Sequence, residues 1–302
     1  MKHIIIAGTN KAATTSLFRY LSDHPDVCGS YIKQTNYFLD KEIQKKHELS
    51  SVFDYDKSHD NYQNFFKCDP NKKFKLEASP DYMYYANTAK KINLFLNTNN
   101  GKVVIILRNP VTRFKSWFRF GKQQGLLNEE IDFDNYYKLS KAYNKESNLS
   151  LLAFKTGFYS NYLNVFKEHL KEHTMHVFFY EDLVNNPKLF LNQFCEKLGI
   201  DKEFYQGYEF QHFNKTVKVK SRLLSKLYVG LRQFYLNYFY KGKVGVFIGS
   251  IMKKTLSPIY KKVNTSSEKT DVQEKVLEEL TEDYKGEKLK IQKMFNLKNI
   301  PW

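Results

Sequence analysis

The sequence is poor in cysteine and has no long apolar segment, and each shortage excludes a class of protein. Its three cysteines, Cys28, Cys68 and Cys195, are odd in number and far apart. Such spacing predicts neither a disulfide framework nor a metal site, so we expect a reducing compartment. No apolar run reaches the length of about 18 residues that a transmembrane helix needs. The sequence therefore predicts no membrane-spanning segment.

The start of the chain also predicts no secretory signal. The apolar run from Ile4 to Ala7 is too short for one, and Gly8 follows it directly in place of a cleavage site. If the chain is the whole gene product, we expect it to be cytoplasmic.

Acidic residues are fewer than basic ones. Aspartate and glutamate number 32 against 48 lysines and arginines, which gives a net charge of +16. This excess indicates an acidic partner: nucleic acid, an anionic membrane, an acidic sugar polymer or a phosphorylated cofactor. Hydrophobic residues make up 42%, which is typical of a folded chain rather than a disordered one.

Short apolar runs followed by helical patterns indicate an α/β fold over residues 1 to about 200. Strands are predicted at His3 to Ala7, at Lys102 to Leu107 and at Met175 to Leu183, because these runs are those of strands buried on both faces. A helix is expected after each strand. Alternation of this kind predicts a mainly parallel sheet whose ligands bind beyond the carboxyl ends of the strands.

Three helix boundaries can be placed from single residues. Pro110 suits the first turn of the helix after the second strand. In the helix after the third strand, Asn186 can cap, Pro187 can take the first helical position, and Gly199 can end it.

The chain from about residue 215 to 302 has another character. It is basic and aromatic at first, and Thr270 to Phe295 has the pattern of a charged amphipathic helix, broken near Gly286. Val263 to Thr270 is the best candidate linker, but it is more typical of a connection between two helices than between two domains. We therefore expect one domain with a helical C-terminal region.

The stretch GTNKAATTSL, which begins at Gly8, has the composition of a phosphate-binding loop. Gly8 allows a tight turn, the amides of about Ala12 to Ser16 would point outward at the start of a helix, and Lys11 adds a full positive charge. The nucleotide P-loop GxxxxGK(S/T) instead has its lysine late, followed by a hydroxyl residue that holds Mg²⁺. The alternative is an ordinary strand-to-helix turn with a solvated lysine.

A second group of residues, in VVIILRNPVTRFKSWF, fits an anion as well. Arg108 stands at the carboxyl end of a buried strand, and Ser116 lies two turns into the next helix. A guanidinium and a hydroxyl form a good phosphate pocket, although Arg108 alone is more often a structural ion-pair partner. Two such sites at two strand ends predict a ligand with two separated anionic groups.

The chain resembles the sulfotransferases that use 3′-phosphoadenosine 5′-phosphosulfate (PAPS), and most of all their bacterial and heparan-sulfate-type branch. The loop around Lys11 is similar to the 5′-phosphosulfate loop, and Arg108 with Ser116 matches the 3′-phosphate motif. The similarity continues through HPDVCGSYIKQTNYF, KLEASPDYMYY, GFYSNYLNVFKEHL, VFFYEDL and LKIQKMFNLKNIPW.

The resemblance implies a P-loop-like three-layer fold, with a central mainly parallel sheet flanked by helices, and PAPS as the sulfuryl donor without a metal. It also implies which residues contact the 5′-phosphosulfate: Lys11, Ala12, Ala13, Thr14, Thr15 and Ser16. A late basic loop would close over the 3′-phosphate side through Lys220, Ser221 and Arg222. Runs of basic residues are otherwise usually solvated.

The resemblance also implies the catalytic residues, with two departures from the family pattern. Lys33 is a candidate second clamp on the sulfuryl group. The glutamate that acts as general base in heparan-type enzymes falls on Gln34, which cannot take a proton, and a frequent histidine falls on Asn36.

The general base must therefore lie elsewhere. Glu77 is the candidate, with a structural carboxylate paired to Lys11 or Arg113 as the alternative; Asp81 and His59 are further candidates.

The acceptor that the resemblance implies is a hydroxyl group, most readily on a carbohydrate, with a lipid, sterol or other small alcohol as the alternative. The Gln34 departure also permits a member that binds the nucleotide and catalyses little. The rivals from other classes are a P-loop kinase and a basic nucleic-acid-binding protein. Leu227 to Lys262 would pack as core helices, or else contact a sugar polymer or an anionic membrane.

Overall fold

The computed structural model describes most of the chain up to residue 211 and its C-terminal end. The described residues are 1–47, 49, 51–124, 126–128, 130–145, 149–171, 174–211, 218–219, 224, 227, 230–231, 265–266 and 273–302. Two predicted regions lie outside the described residues. One is the set of cofactor contacts in the late basic loop, Lys220, Ser221 and Arg222, and the other is most of the basic aromatic region, 227–262.

A sheet of five parallel strands forms the centre of the protein. The strands are β1 (Lys2–Gly8), β2 (Val27–Gly29), β3 (Phe74–Ala78), β4 (Gly101–Leu107) and β5 (Met175–Phe179), in the order β2-β3-β1-β4-β5. In register, Ile4 of β1 lies opposite Leu76 of β3 and Lys102 of β4. Because every pair is parallel, all five carboxyl ends meet at one edge. The predicted α/β fold class is confirmed.

Helices connect these strands and cover both faces of the sheet. They are α1 (Thr14–Ser22), α2 (Lys41–Lys46), α3 (Asp60–Gln63), α4 (Ala86–Thr98), α5 (Pro110–Gln123), α6 (Phe133–Ala142), α7 (Tyr159–His169), α8 (Tyr180–Asn185), α9 (Pro187–Leu198), α10 (Glu274–Tyr284) and α11 (Glu287–Phe295). A separate antiparallel pair joins β6 (Lys218–Val219) to β7 (Thr265–Ser266). Within the described part of the chain, no helix combines the length and apolar character needed to cross a bilayer.

The core lies on both sides of the sheet because successive residues of a strand point to opposite faces. Ile5 of β1 packs in the cluster that includes α4 and α7, whereas Ile4 and Ile6 pack in the cluster that includes α1 and α9. All three side chains are at most 2% exposed. Burying each contributes about 1.5 to 3 kcal/mol, so this isoleucine run fixes β1 between two layers of helices.

The helix boundaries placed from single residues are confirmed, but the third strand is shorter than predicted. The side chain of Asn186 accepts a hydrogen bond from the Leu189 amide, Pro187 begins α9, and Gly199 ends it with φ +73°. The strand ends at Phe179, and Tyr180 begins α8, whose first turn holds two acidic residues. Acidic residues stabilise a helix N-terminus, which explains why the chain turns helical there.

The charged amphipathic pattern near the C-terminus forms two helices, as its predicted break near Gly286 requires. The first, α10, ends at Tyr284, and α11 begins at Glu287. The apolar face of α10 is buried and consists of Val276, Leu280 and Tyr284. The break is therefore confirmed.

The expectation that the cysteines form no disulfide is wrong. Cys28 of β2 is bonded to Cys68, 40 residues later, with their Cα atoms 5.6 Å apart. The chain leaves the sheet after β2 and returns beside it, where the Tyr31 amide donates to the Phe65 carbonyl. The sequence did not predict this disulfide because the two cysteines are far apart along the chain. The cytoplasmic localisation thus stays a prediction, without the support of unpaired cysteines; Cys195 is free and buried.

Candidate active site

A cavity of about 900 Å³ lies at the edge of the sheet where β1 and β4 end. Its lining comes mainly from the loop after β1 with the start of α1, the turn that carries Lys33 and Gln34, and one side of α5. Pro80 after β3, Arg108 after β4 and two residues of α8 complete it. The cavity thus brings together most of the residues predicted to bind the donor, namely Lys11, Ala13, Thr14, Thr15, Ser16, Lys33, Arg108 and Ser116. Their contacts with a bound cofactor stay predictions. Ala12 is fully buried and is not part of the lining.

The loop between β1 and α1 has the backbone of an anion cradle. Lys11 and Ala13 both adopt the left-handed conformation, with φ of 69° and 60°. Ala13 caps α1 without a side-chain hydrogen bond, so the first helical amides are left for a ligand. The amide of Thr9 donates to the Ile106 carbonyl at 2.9 Å, which ties the loop to β4.

A fully buried arginine supports this loop from behind, which the sequence did not indicate. Arg113 Nε donates to the carbonyl of Asn10 at 3.1 Å. Its other nitrogens donate to the Ala153 carbonyl at 3.2 Å, to Tyr84 Oη at 3.0 Å and to Thr156 Oγ1 at 2.6 Å. A guanidinium held by so many oxygens is rigid, and it fixes the loop backbone.

Arg108 and Ser116 face the cavity from the β4 side. The Nη1 atom of Arg108 donates to the Lys11 carbonyl at 2.9 Å, and Nε donates to Thr112 Oγ1 at 3.1 Å. The guanidinium carbon lies 4.2 Å from the centre of the Tyr180 ring. The side chain is therefore oriented before any ligand binds, with Ser116 in the same wall.

Two lysines in the cavity titrate closer to neutrality than usual. Burial lowers the pKa of Lys11 to about 8, helped by the positive charges of Arg108 and Arg113. Burial also lowers the pKa of Lys33 to about 8, and here Asp81 and Glu77 act in the opposite direction. The Lys11 amine lies 3.8 Å from the centre of the Phe120 ring, a cation-π contact. Both lysines are therefore mostly charged at pH 7.

Glu77, the predicted base, lies behind the cavity wall. It is fully buried, and its carboxylate accepts hydrogen bonds from Thr35 at 2.7 Å, Ser79 at 2.8 Å and Tyr62 at 3.3 Å. Burial raises the pKa of Glu77 to about 7, although these hydrogen bonds lower it. Its hydrogen-bond partners are hydroxyl groups, in place of the Lys11 or Arg113 that the alternative expected.

The other candidates for the base lie in different surroundings. His59 is buried among aromatic rings, 5.1 Å from the centre of the Phe95 ring, and does not line the cavity. Asp81 is buried directly after Pro80, a residue of the cavity wall. Gln34 lines the cavity and presents a neutral amide there.

Helix α5 contributes further lining residues that the sequence argument missed. Thr112, Arg119, Phe120 and Gln123 lie three, four or seven positions from Ser116, and Lys115 and Trp117 flank it. The signal was available, because residues three or four apart share a helix face with Ser116.

The charge of the cavity is of one sign. None of the described residues that line it is acidic, whereas five are basic: Lys11, Lys33, Arg108, Lys115 and Arg119. Within the described ranges, no group of three histidine, cysteine or acidic side chains lies close enough together to hold a metal ion. The lining is that of a site for a polyanion.

These features define a nucleotide-type anion site on a P-loop-like α/β fold. The sulfotransferase domain model matches residues 1–290, so the chain belongs to the sulfotransferase domain family. The family uses PAPS as its sulfuryl donor. Membership favours the predicted transferase over the P-loop kinase and the nucleic-acid-binding protein.

Relatives of known name share only part of their length with this chain. The membrane-associated sulfotransferase kil1 of Dictyostelium discoideum is 31% identical over 123 residues, which are 41% of this chain and 24% of kil1. The human bifunctional heparan sulfate N-deacetylase/N-sulfotransferase 1 is 30% identical over 118 residues, 38% of this chain and 12% of that protein. The chain thus matches a quarter or less of these relatives.

A solved structure supports the fold over most of the chain. The structure of a sulfotransferase from Alicyclobacillus acidocaldarius superimposes on this protein with a TM-score of 0.59 at 20% identity. The match covers 77% of this chain and 92% of the other. At that identity the likeness concerns the fold, and the predicted P-loop-like architecture is confirmed.

Proposed function

We propose that this protein transfers the sulfuryl group of PAPS to a hydroxyl group of a carbohydrate. The observation that carries the proposal is the cavity, whose charged lining residues are all basic. Its two candidate anion sites follow adjacent strands, β1 and β4. PAPS has anionic groups at both ends of its nucleoside, a phosphosulfate and a 3′-phosphate. The lining residues fit it in charge and in arrangement.

Each end of the cavity has residues suited to one of these groups. The amides at the start of α1, with Lys11, Thr14, Thr15 and Ser16, would hold the 5′-phosphosulfate. Arg108 and Ser116 would hold the 3′-phosphate. When bound, PAPS supplies a sulfuryl group activated by its link to phosphate.

The residues of this chain contribute positioning and charge. Lys11 neutralises charge that develops on the leaving 5′-phosphate, and the ammonium group of Lys33, beside Thr14, stabilises the transferring sulfuryl group. Gln34 and Pro80 line the same cavity as Lys33, and we expect the acceptor hydroxyl to enter beside them. The amide of Gln34 can orient that hydroxyl by hydrogen bonding but cannot remove its proton.

The carbohydrate acceptor is supported by one relative, whose name includes heparan sulfate. A transfer assay with labelled PAPS tests it by comparing polysaccharides with sterols and small alcohols. Label in a polysaccharide and none in the sterol supports the proposal; label confined to a lipid or sterol contradicts the carbohydrate, and label in no acceptor contradicts the activity.

Calorimetry tests the two-ended site without an acceptor. We expect adenosine 3′,5′-bisphosphate to bind more tightly than AMP, because only the bisphosphate reaches Arg108. Arg108→Ala should weaken the affinity for the bisphosphate by roughly 10- to 100-fold and leave the affinity for AMP nearly unchanged. Arg19→Ala is the control, since this exposed arginine of α1 does not line the cavity. Equal weakening of both nucleotides would overturn the 3′-phosphate assignment.

A further inference from the structure

Asp81 is a buried carboxylate beside the cavity that the proposed reaction does not use. It is only 3% exposed, and it follows Pro80 of the cavity wall. Its Oδ1 atom accepts a hydrogen bond from Asn10 Nδ2 at 2.6 Å. A negative charge so close to an anion site opposes anion binding, so its presence there needs a physical reason.

Asn10 is one part of that reason. It lines the cavity, and its carbonyl accepts the hydrogen bond from Arg113 Nε. Asp81 therefore holds the side chain of Asn10, while Arg113 holds its backbone. The loop after β1 is fixed from two directions just before Lys11.

Lys33 is the other part. Its ammonium group donates to Thr14 Oγ1 and to the Ala78 carbonyl, both at 3.4 Å, and neither partner carries a charge. The charged groups that act on it are Asp81, in the turn after β3, and Glu77 on β3 itself. Without them, burial would favour the neutral amine.

Of these two carboxylates, Asp81 is bonded to a residue of the cavity lining, Asn10. Glu77 instead accepts hydrogen bonds from hydroxyl groups behind the wall. Burial raises the pKa of Asp81 to about 6, while the hydrogen bond from Asn10 and the charges of Lys33 and Arg113 lower it. Burial raises the pKa of Glu77 further, to about 7. The carboxylate that acts on Lys33 and also contacts the cavity lining is therefore Asp81.

We propose that Asp81 is a positioning residue that holds Asn10 in the cavity wall and supplies the counter-charge that keeps Lys33 an ammonium group. The use of that ammonium in sulfuryl transfer rests on the proposed function. The coupling between Asp81 and Lys33 does not, so the two can fail separately.

The direct test is the titration of Lys33, followed by NMR on protein with ¹³C-labelled lysine side chains, with Lys33→Arg identifying the signal. Asp81→Asn should lower the titration midpoint of Lys33 by roughly one pH unit. The matched control is Asp40→Asn. Asp40 also accepts from an asparagine, Asn87 at 2.8 Å, and pairs with a lysine, Lys91 at 2.7 Å, but it does not line the cavity.

The second readout is the pH profile of sulfuryl transfer. In Asp81→Asn we expect the fall of kcat at alkaline pH to begin about one pH unit lower, because Lys33 loses its proton earlier. The loss of activity in Asp81→Asn should be smaller near pH 6.5 than near pH 8, and Asp40→Asn should match the wild type at both.

An unmoved Lys33 titration, or an activity loss equal at every pH, would overturn the proposal. If Asp81→Asn does not fold, Asp81→Ser removes the same charge and retains an acceptor for Asn10. If the wild type transfers no sulfuryl group but Asp81→Asn still moves the Lys33 titration, the proposed function fails and the coupling stands.

Discussion

At the scale of single residues, the loop after β1 contains an unfavourable backbone conformation at an alanine. Ala13 has φ 60° and ψ 23°, a region that glycine adopts without steric cost and that costs other residues about 1 kcal/mol or more. Because Ala13 lines the cavity at the start of α1, the strain lies in the anion cradle itself.

Ala13→Gly should therefore raise the free energy of unfolding by about 1 kcal/mol, because it relieves the left-handed strain. Urea denaturation at pH 7 measures the difference. Ala12→Gly is the matched control: Ala12 is fully buried and has no positive φ, so the loss of its methyl group should destabilise the protein by a similar amount. Destabilisation by Ala13→Gly would show that the strain is absent.

Glu77 is a buried residue whose titration should affect stability. Its pKa is raised to about 7 in the folded protein, against an ordinary value of 4.5. Between these values the unfolded chain loses this proton while the folded chain keeps it. The free energy of unfolding therefore falls as pH rises from about 4.5 to 7, by up to about 3 kcal/mol from this group.

Glu77→Gln should remove that dependence. Urea unfolding at pH 5 and pH 8 should show the variant gaining stability relative to the wild type at the higher pH. The same variant tests the predicted base: since Glu77 lies behind the wall, we expect kcat to stay within about tenfold. A loss of roughly 100-fold or more, with the pH dependence of stability unchanged, would instead assign Glu77 as the base.

At the scale of secondary-structure elements, the disulfide joins β2 to the segment after α3. It encloses the turn that carries Lys33 and Gln34. In the chain-entropy model, closing a loop of 40 residues raises the free energy of the unfolded chain by about 4 kcal/mol and so stabilises the folded protein.

Replacing both cysteines with serine should lower the free energy of unfolding by roughly 2 to 4 kcal/mol. Thiol titration of the unfolded wild type without reductant should detect one free thiol, Cys195, because Cys28 and Cys68 are bonded. Three free thiols in oxidised wild-type protein would contradict the pairing.

Elements with strong local signals were predictable from the sequence, and long-range partners were not. The strands β1 and β4 follow from their isoleucine and valine runs, and α9 from Asn186, Pro187 and Gly199. By contrast, Cys68 lies 40 residues from Cys28, and Arg113 binds only oxygens without charge, from segments up to 103 residues away. No local pattern encodes such contacts, because the fold alone brings them together.

At the scale of the whole molecule, the site depends on the parallel sheet. Lys11 follows β1 and Arg108 follows β4, yet Arg108 donates to the Lys11 carbonyl because the two strands are neighbours. The proximity of Lys11 and Arg108 was therefore predictable once a parallel sheet was inferred. The turn that contains Asp81 follows β3, which lies on the other side of β1 from β4. This topology places the Asp81 carboxylate beside the cavity wall, although the charged residues of the lining are basic.

The central position of β1 has a consequence for the order in which the protein is made. β1, β2 and β3 all precede residue 79, whereas β4 begins at Gly101, so β1 is an apolar edge strand until β4 has been synthesised. An exposed edge of this kind readily pairs with other chains. During translation, the arrival of β4 covers that edge of β1 and delivers Arg108 to the loop. The exposed edge then passes to β4 and stays there until β5 has been synthesised.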